Sequence, residues 1–278
     1  MLKIVTDSAA NLTAEQAKEA GIEVLPYPVI FGNETLLDGV TLTVDGFYER
    51  LVTDPAHPHT SQINVSEFEE AFSRPENACP LFVILLSSAL SGTADCARLA
   101  ARNLGREDIY VYDSLGATIM EKMLVREAIK RRDLPAEELA AVLDDMRSRM
   151  ELYAIVDTLD YLYKGGRLKK SAATLGKIFR IKPVVTVSHE GKVELCGKAV
   201  GTALAIKNVA KRISDVDENF PVEYLYSADD TLCRRLFNET AERIGGAKTE
   251  FAANLCPVIG VHIGPGAAGI CFVRKKQS

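Results

Sequence analysis

Leu81-Phe82-Val83-Ile84-Leu85-Leu86 passes into Ser87-Ser88-Ala89-Leu90-Ser91-Gly92-Thr93 and then into the alanine-rich stretch Ala94 to Leu104. An apolar run of buried-strand length, a polar loop and a helical segment make one strand-loop-helix unit. The scheme repeats on both sides. Upstream, the short apolar run Leu2 to Val5 is followed by Thr13-Ala14-Glu15-Gln16, whose spacing is that of a capping box, so a helix is expected to start there. Downstream, Ile109 to Tyr112 is a strand ended by Asp113-Ser114, and Met120, Met123 and Leu124 are spaced for one helical face. Pro135 then opens a helix carrying Leu139, Val142, Leu143 and Met146 at i, i+3, i+4 and i+7. This alternation predicts a mostly parallel sheet with helices on its faces.

The pattern changes after about Met150. Leu152 to Leu159 reads as a strand, and Pro183 to Val187 and Val193 to Val200 flank Glu190-Gly191 as a hairpin would. A helix over Ala203 to Ile213, a strand near Val222 to Tyr226, a helix over Thr231 to Ile244 and closing strands around Val258 to Ile263 and Gly269 to Arg274 complete a mixed sheet. The expectation is therefore α/β with two lobes. Residues 1–149 form the first, with a mostly parallel sheet flanked by helices, and residues 150–278 the second, with a mixed sheet.

The 278 residues are 47% hydrophobic and 26% charged, with 33 Lys+Arg against 38 Asp+Glu and a net charge of -5. That is an ordinary globular composition, and it supplies no basic footprint for nucleic acid. The longest apolar segments fall far short of the roughly 20 residues of a membrane span, and the N-terminal Met1-Leu2-Lys3-Ile4-Val5-Thr6-Asp7 lacks the long apolar region of a signal peptide. A cytoplasmic location is expected. The six cysteines never form C-x-x-C and are read as reduced, mostly buried small hydrophobes.

No cofactor or metal is expected. Gly264-Pro265-Gly266-Ala267-Ala268-Gly269 fits G-x-G-x-x-G, but a dinucleotide site needs a following helix and an acidic residue about 20 positions on. The chain ends at Ser278, so the glycines are read as a tight turn between two strands. No phosphate-loop pattern occurs. His57 and His59 form H-x-H in a proline-rich loop without a third local ligand.

The hydroxyl clusters carry more. Thr60-Ser61-Gln62 and Ser87 to Thr93 lie at expected strand ends, where an open α/β sheet gathers ligands and helix N-termini present free N–H groups. Hydroxyls there make an uncharged cradle for an anion. They also cap helices, and that reading stands beside the first. Ser91 or Ser61 with His262 would be the groups of a serine hydrolase or acyl transferase, although G-x-S-x-G is absent and a histidine in an apolar strand is commonly a core residue. Gly165-Gly166-Arg167 permits an unusual backbone and offers five guanidinium donors to an anion or a partner, and an exposed turn explains the three residues equally well.

Taken together, these segments resemble the DegV family of fatty-acid-binding proteins along nearly the whole chain. Thr6-Asp7-Ser8 with Leu12 is similar to the family's T-D-S-x-x-x-L, Thr60-Ser61-Gln62 to its T-S-Q, Ser87 to Thr93 to its S-S-x-L-S-G-T and Asp113-Ser114 to its D-S. Leu159 to Leu168 is similar to L-x-x-L-x-x-G-G-R-I, Lys182-Pro183 to K-P, and His262-Ile263-Gly264-Pro265-Gly266 to H-x-G-P-G. The resemblance implies a non-catalytic carrier that holds one long-chain fatty acid in a tunnel between its lobes and presents the carboxylate to a separate ATP-dependent fatty acid kinase, which makes acyl phosphate for lipid synthesis. The implied ligand-binding residues are Thr60, Ser61, Ser91 and Gly92, with His262 nearby and Gly166 and Arg167 in a neighbouring loop. Phe31, Ile119, Met123 and Phe179 are candidate tunnel residues, and plain core explains them as well. Two positions depart from the family pattern: Ile63 replaces the usual proline, and Val200 stands where an arginine commonly helps engage the kinase. Transient contact with a membrane surface is left open.

Overall fold

The computed structural model describes residues 1–168 and 181–276. Its first half contains strands β1 (Lys3–Asp7), β2 (Glu23–Leu25), β3 (Pro28–Phe31), β4 (Glu34–Leu37), β5 (His59–Thr60), β6 (Leu81–Leu85) and β7 (Ile109–Asp113). The order β2-β1-β6-β7 forms a four-stranded sheet in which every pair is parallel. All five residues of β6 are fully buried, as a central strand covered on both faces requires. Alternate residues serve opposite layers. Val83 and Leu85 pack with Phe68, Phe72 and Ala97 of the helices Val65–Phe72 and Thr93–Asn103. Phe82 and Ile84 pack with Met123, Leu143 and Met146 of the helices Ile119–Lys130 and Ala136–Ser148. The expected capping box at Thr13 is present on helix Ala14–Ala20, and a second, Asn64 with Glu67, opens helix Val65–Phe72.

The second half contains β8 (Met150–Ile155), β9 (Ile181–Val187), β10 (Val193–Val200), β11 (Val222–Tyr226), β12 (Thr249–Asn254) and β13 (Ala268–Val273). They form one sheet, β10-β9-β8-β13-β11-β12, antiparallel except for β11 with β12. The expected hairpin joins β9 to β10, and Gly191 takes the positive φ of +76° that its turn demands. Helices Thr202–Ala210 and Thr231–Thr240 cover one face of the sheet. Its other face is turned to the parallel sheet. Between the two lies a buried ion pair, Lys122 to Glu223 at 3.1 Å, extended by Arg126.

Two features differ from the sequence reading. Val258 to Ile263 is not a strand: Pro257–Ile263 is a helix with Pro257 in its first turn. A short apolar run has no period long enough to separate the two states, and the proline was the available signal. The glycine turn after it therefore joins helix to strand. A three-stranded antiparallel sheet, β4-β3-β5, packs with helix Val44–Thr53 around Phe31, Phe47 and Val261. Its strands of two to four residues are too short to show alternation. Among the described residues, no helix is long and apolar enough to cross a membrane.

Candidate functional site

β5 ends on Thr60, and the helix Pro257–Ile263 brings His262 to it, with Thr60 Oγ1 and His262 Nε2 2.9 Å apart. The ring is mostly buried, and burial, helped by Arg167 and His57, pushes the imidazole pKa down to about 3. His262 is therefore neutral. Its Nδ1 is buried without a hydrogen-bond partner and lies against Gly165, where an added Cβ would stand only 2.1 Å away. The glycine is required here for space. A second close approach fixes the glycine turn, since a Cβ on Gly264 would lie 2.3 Å from the Tyr161 ring.

The other hydroxyls arrive from the loop after β6. Ser91 Oγ is 2.9 Å from Thr93 Oγ1, and the Tyr27 hydroxyl donates to the same Thr93 oxygen at 2.8 Å. Neither cluster caps its helix: Asn64 caps the first, while Gly92, at the N-cap of the second, gives no side-chain bond. Gln62 lies over Gly92, where a Cβ would meet its Oε1 at 2.4 Å. Ser61 is exposed and donates to the Gln62 carbonyl. Arg167 follows Gly166, whose φ is +71°, in the turn after helix Asp160–Lys164. Its Nε donates to Leu90 O at 3.2 Å and its Nη1 to Gly165 O at 2.5 Å. Among the described residues no carboxylate lies within ion-pair distance of that guanidinium.

Behind these groups is an apolar cavity. Thr60, Ser61, Ser91, Arg167 and His262 stand on its wall, and its body is lined by Leu152 and Ala154 of β8, Val185 and Val187 of β9, and Val258 and Ile259 of the last helix. The empty space, open mouth included, measures about 830 Å³. β8 shows how the lining is selected, since Leu152 and Ala154 face the cavity while Tyr153 and Ile155 face the covering helices. Three of the four candidate tunnel residues belong to the core instead. Phe31 packs edge-on to Phe47 under the Arg50 guanidinium, and Ile119 and Met123 lie in the core beside the parallel sheet. Phe179 lies outside the described residues. Gly166 borders a neighbouring groove shared with Arg167.

Sequence reasoning missed a deeper layer. Asp7, Asp38 and Glu121 are all buried behind the hydroxyls, and no Lys, Arg or His lies within ion-pair distance of them among the described residues. Burial raises Asp7 and Asp38 to about 7 and Glu121 well above the usual range. Asp38 Oδ2 accepts from Ser8 Oγ and from Val258 N, and Asn11 Oδ1 accepts from Cys256 N, so the start of the His262 helix is pinned to the first half of the chain. Thr6-Asp7-Ser8 was the available signal. His57 packs beside Tyr161, and among the described residues no cluster of three His, Cys, Asp or Glu side chains is arranged to hold a metal ion. All six cysteines are free, three buried and three partly so.

A parallel and a mixed sheet enclosing an apolar cavity, with hydroxyls, a neutral histidine and one guanidinium at its mouth, define a two-lobed α/β binding fold. The chain belongs to the DegV family, whose model matches residues 1–275. A DegV domain-containing protein of Streptococcus pyogenes serotype M1 is 32% identical over 291 residues, covering 99% of this chain and 98% of the relative. Among solved structures, a DegV family protein from Thermus thermophilus, described for its fatty acid binding, matches with a TM-score of 0.86 at 26% identity over 99% of each chain. A stearic-acid-binding protein from Eubacterium ventriosum matches with a TM-score of 0.84 at 27% identity, also over 99% of each.

Proposed function

We propose that this protein is a cytoplasmic carrier that holds one long-chain fatty acid in the cavity between its lobes, residues 1–149 and 150–278, with the carboxylate at Thr60, Ser61, Ser91, Gly92 and His262. The observation that carries the reading is an apolar cavity whose polar groups are gathered at its mouth. The fatty-acid ligands of the Thermus and Eubacterium relatives support it. Burying about fourteen methylenes at about 0.8 kcal/mol each gives a gross drive near 11 kcal/mol before ordering costs. The tail supplies affinity, and the head group sets orientation.

The head-group chemistry follows from the neutral His262. With its proton on Nε2, the ring leaves Nδ1 as a buried lone pair, which is less costly than an orphaned N–H. Nε2–H then donates to Thr60 Oγ1, and the Thr60 hydroxyl proton is free for a carboxylate oxygen. Arg167, in the neighbouring loop with Gly166, supplies positive potential while two of its donors are held by backbone carbonyls. A carboxylate held by hydroxyls, without a bidentate ion pair, keeps an oxygen nucleophilic. The carrier presents that oxygen to a separate ATP-dependent kinase, where it attacks the terminal phosphorus and ADP leaves. Val200 is 69% exposed on the edge strand β10 and brings no charge to the position where the family commonly has arginine, so docking rests on other groups around the mouth.

Native mass spectrometry of the protein purified from a bacterial host tests the reading. A stoichiometric fatty acid, or uptake of added oleate or palmitate, is the expected result. An empty protein that takes up neither would refute it. Labelling of Ser61 or Ser91 by a fluorophosphonate, lost in His262→Ala, would establish the hydrolase instead; among the described residues no acid meets His262 Nδ1, which argues against that outcome.

A further inference from the structure

The Ser91 hydroxyl is the outer end of a buried chain. Ser91 Oγ meets Thr93 Oγ1 at 2.9 Å, and Thr93 Oγ1 accepts from the Tyr27 hydroxyl at 2.8 Å. The Tyr27 hydroxyl in turn lies beside the Asp7 carboxyl, close enough for each to influence the other's ionisation. Asp7 accepts backbone N–H bonds from Ala9 and Leu86, both at 2.9 Å, and lies against Glu121. Glu121 Oε1 accepts from Thr6, and its Oε2 is buried with no hydrogen-bond partner. Tyr27, Asp7, Thr93 and Glu121 are each at most 2% exposed. Among the described residues, the groups facing the pair add only negative or neutral character: Asp38 and Cys256 from one side, Asp113 at the end of β7 from another. Two carboxyls this close, without a cation, cannot both ionise at modest cost.

We infer that the hydroxyl relay Ser91–Thr93–Tyr27 couples the mouth of the cavity to the Asp7–Glu121 pair, so that a carboxylate bound at Ser91 draws one proton onto that pair. The inference rests on the fatty-acid reading of the site. Tyr27, Thr93 and Asp7 are its positioning residues. The relay has two directions. With Asp7 ionised, Tyr27 donates to Asp7, Thr93 to Tyr27 and Ser91 to Thr93, which leaves Ser91 presenting lone pairs that repel a carboxylate. With Asp7 protonated, Tyr27 donates to Thr93, Thr93 to Ser91, and the Ser91 proton points at the ligand. The proton comes from bulk water and ends on the pair, so the bound anion's charge is matched inside the protein. Burial, which raises Asp7 to about 7, places the exchange near neutral pH.

Calorimetry of palmitate binding to delipidated protein, in buffers of equal pH and different ionisation heat, counts the protons. The expected result is uptake of about half to one proton per ligand near neutral pH, with affinity falling up to about tenfold per pH unit above it. Tyr27→Phe and Thr93→Val break the relay and should bind more weakly with the proton count lost, while Thr93→Ser restores both. These variants avoid the two backbone bonds that Asp7→Asn would disturb. Palmitate binding without proton uptake, or uptake undiminished in Tyr27→Phe, overturns the inference and leaves the carrier reading standing. A wild-type protein that binds no palmitate refutes both.

Discussion

Gly165→Ala places a methyl group where the structure has no room for one. Gly165 has ordinary right-handed backbone angles, φ -73° and ψ -6°, so alanine brings no conformational penalty of its own. Its Cβ would stand 2.1 Å from His262 Nδ1, a shortfall of about 1.3 Å against the 3.4 Å at which ordinary contact begins. The ring must move, and the 2.9 Å bond from His262 Nε2 to Thr60 is the contact it gives up. Overpacking of this kind costs about 1–3 kcal/mol of stability. Loss of an oriented donor to a carboxylate costs about 1.5–3 kcal/mol, which is roughly ten- to a hundredfold in affinity. Gly105→Ala is the control. Gly105 has φ +64° with nothing within 4 Å of an added Cβ, so it should cost about 1 kcal/mol of stability and leave the distant cavity alone. Displacement of a fluorescent fatty acid gives affinity, and thermal unfolding gives stability. Gly165→Ala binding as tightly as the Gly105→Ala control would refute the role assigned to the histidine's position.

Val185→Phe fills the cavity from β9, and should abolish uptake of the longest acyl chains in native mass spectrometry while changing the melting temperature of the empty protein little. Lys122→Met strands Glu223 in the ion pair between the two sheets, an unfolding cost of about 3 kcal/mol in urea titration because Arg126 still reaches the carboxylate. An unchanged midpoint would show that the pair contributes nothing. Asp38 is raised to about 7 by burial, so the folded state holds its proton longer than the unfolded chain does. The stability it contributes is complete below the ordinary carboxyl pKa and is lost as pH rises through about 7. The wild-type advantage over Asp38→Asn should therefore shrink between about pH 4 and about pH 7 in thermal unfolding, and an advantage that grows would contradict the assignment.

The elements that could be read from sequence are those with a local cause. β6 is a run of five buried apolar residues, the Thr13 box is two reciprocal bonds within four residues, and the β9–β10 hairpin is a glycine in its required conformation. The last helix was misread because Val258 to Ile263 is apolar but for His262, packed against the first half on one side and the cavity on the other. The same ambiguity hid the cavity wall. Apart from Glu151 both faces of β8 are apolar, so alternation could not say which residues face space and which face core. Thr60, Ser91 and His262 were legible through family motifs, each a few residues long. The layer behind them was not, because Thr6 meets Glu121 across 115 positions and Tyr27 meets Thr93 across 66. No periodicity records such a pairing. Thr93 closes the Ser87 to Thr93 cluster, and its place at a helix start makes capping the local explanation.

The helix Pro257–Ile263 is bound to parts of the chain made long before it. Cys256 N bonds to Asn11 across 245 positions, Val258 N to Asp38 across 220, and His262 to Thr60 across 202. Contacts of such separation close late in folding, because the intervening chain must be ordered before they reward its loss of freedom. During synthesis from the N-terminus, the parallel sheet can form while this helix is still unmade. The mouth of the cavity then lacks its histidine, and β8, β9 and the helix have yet to wall off the apolar space. On the carrier reading, binding competence is thus acquired only once residues 256–262 have been made, and a chain stalled before residue 256 should be folded in part and empty.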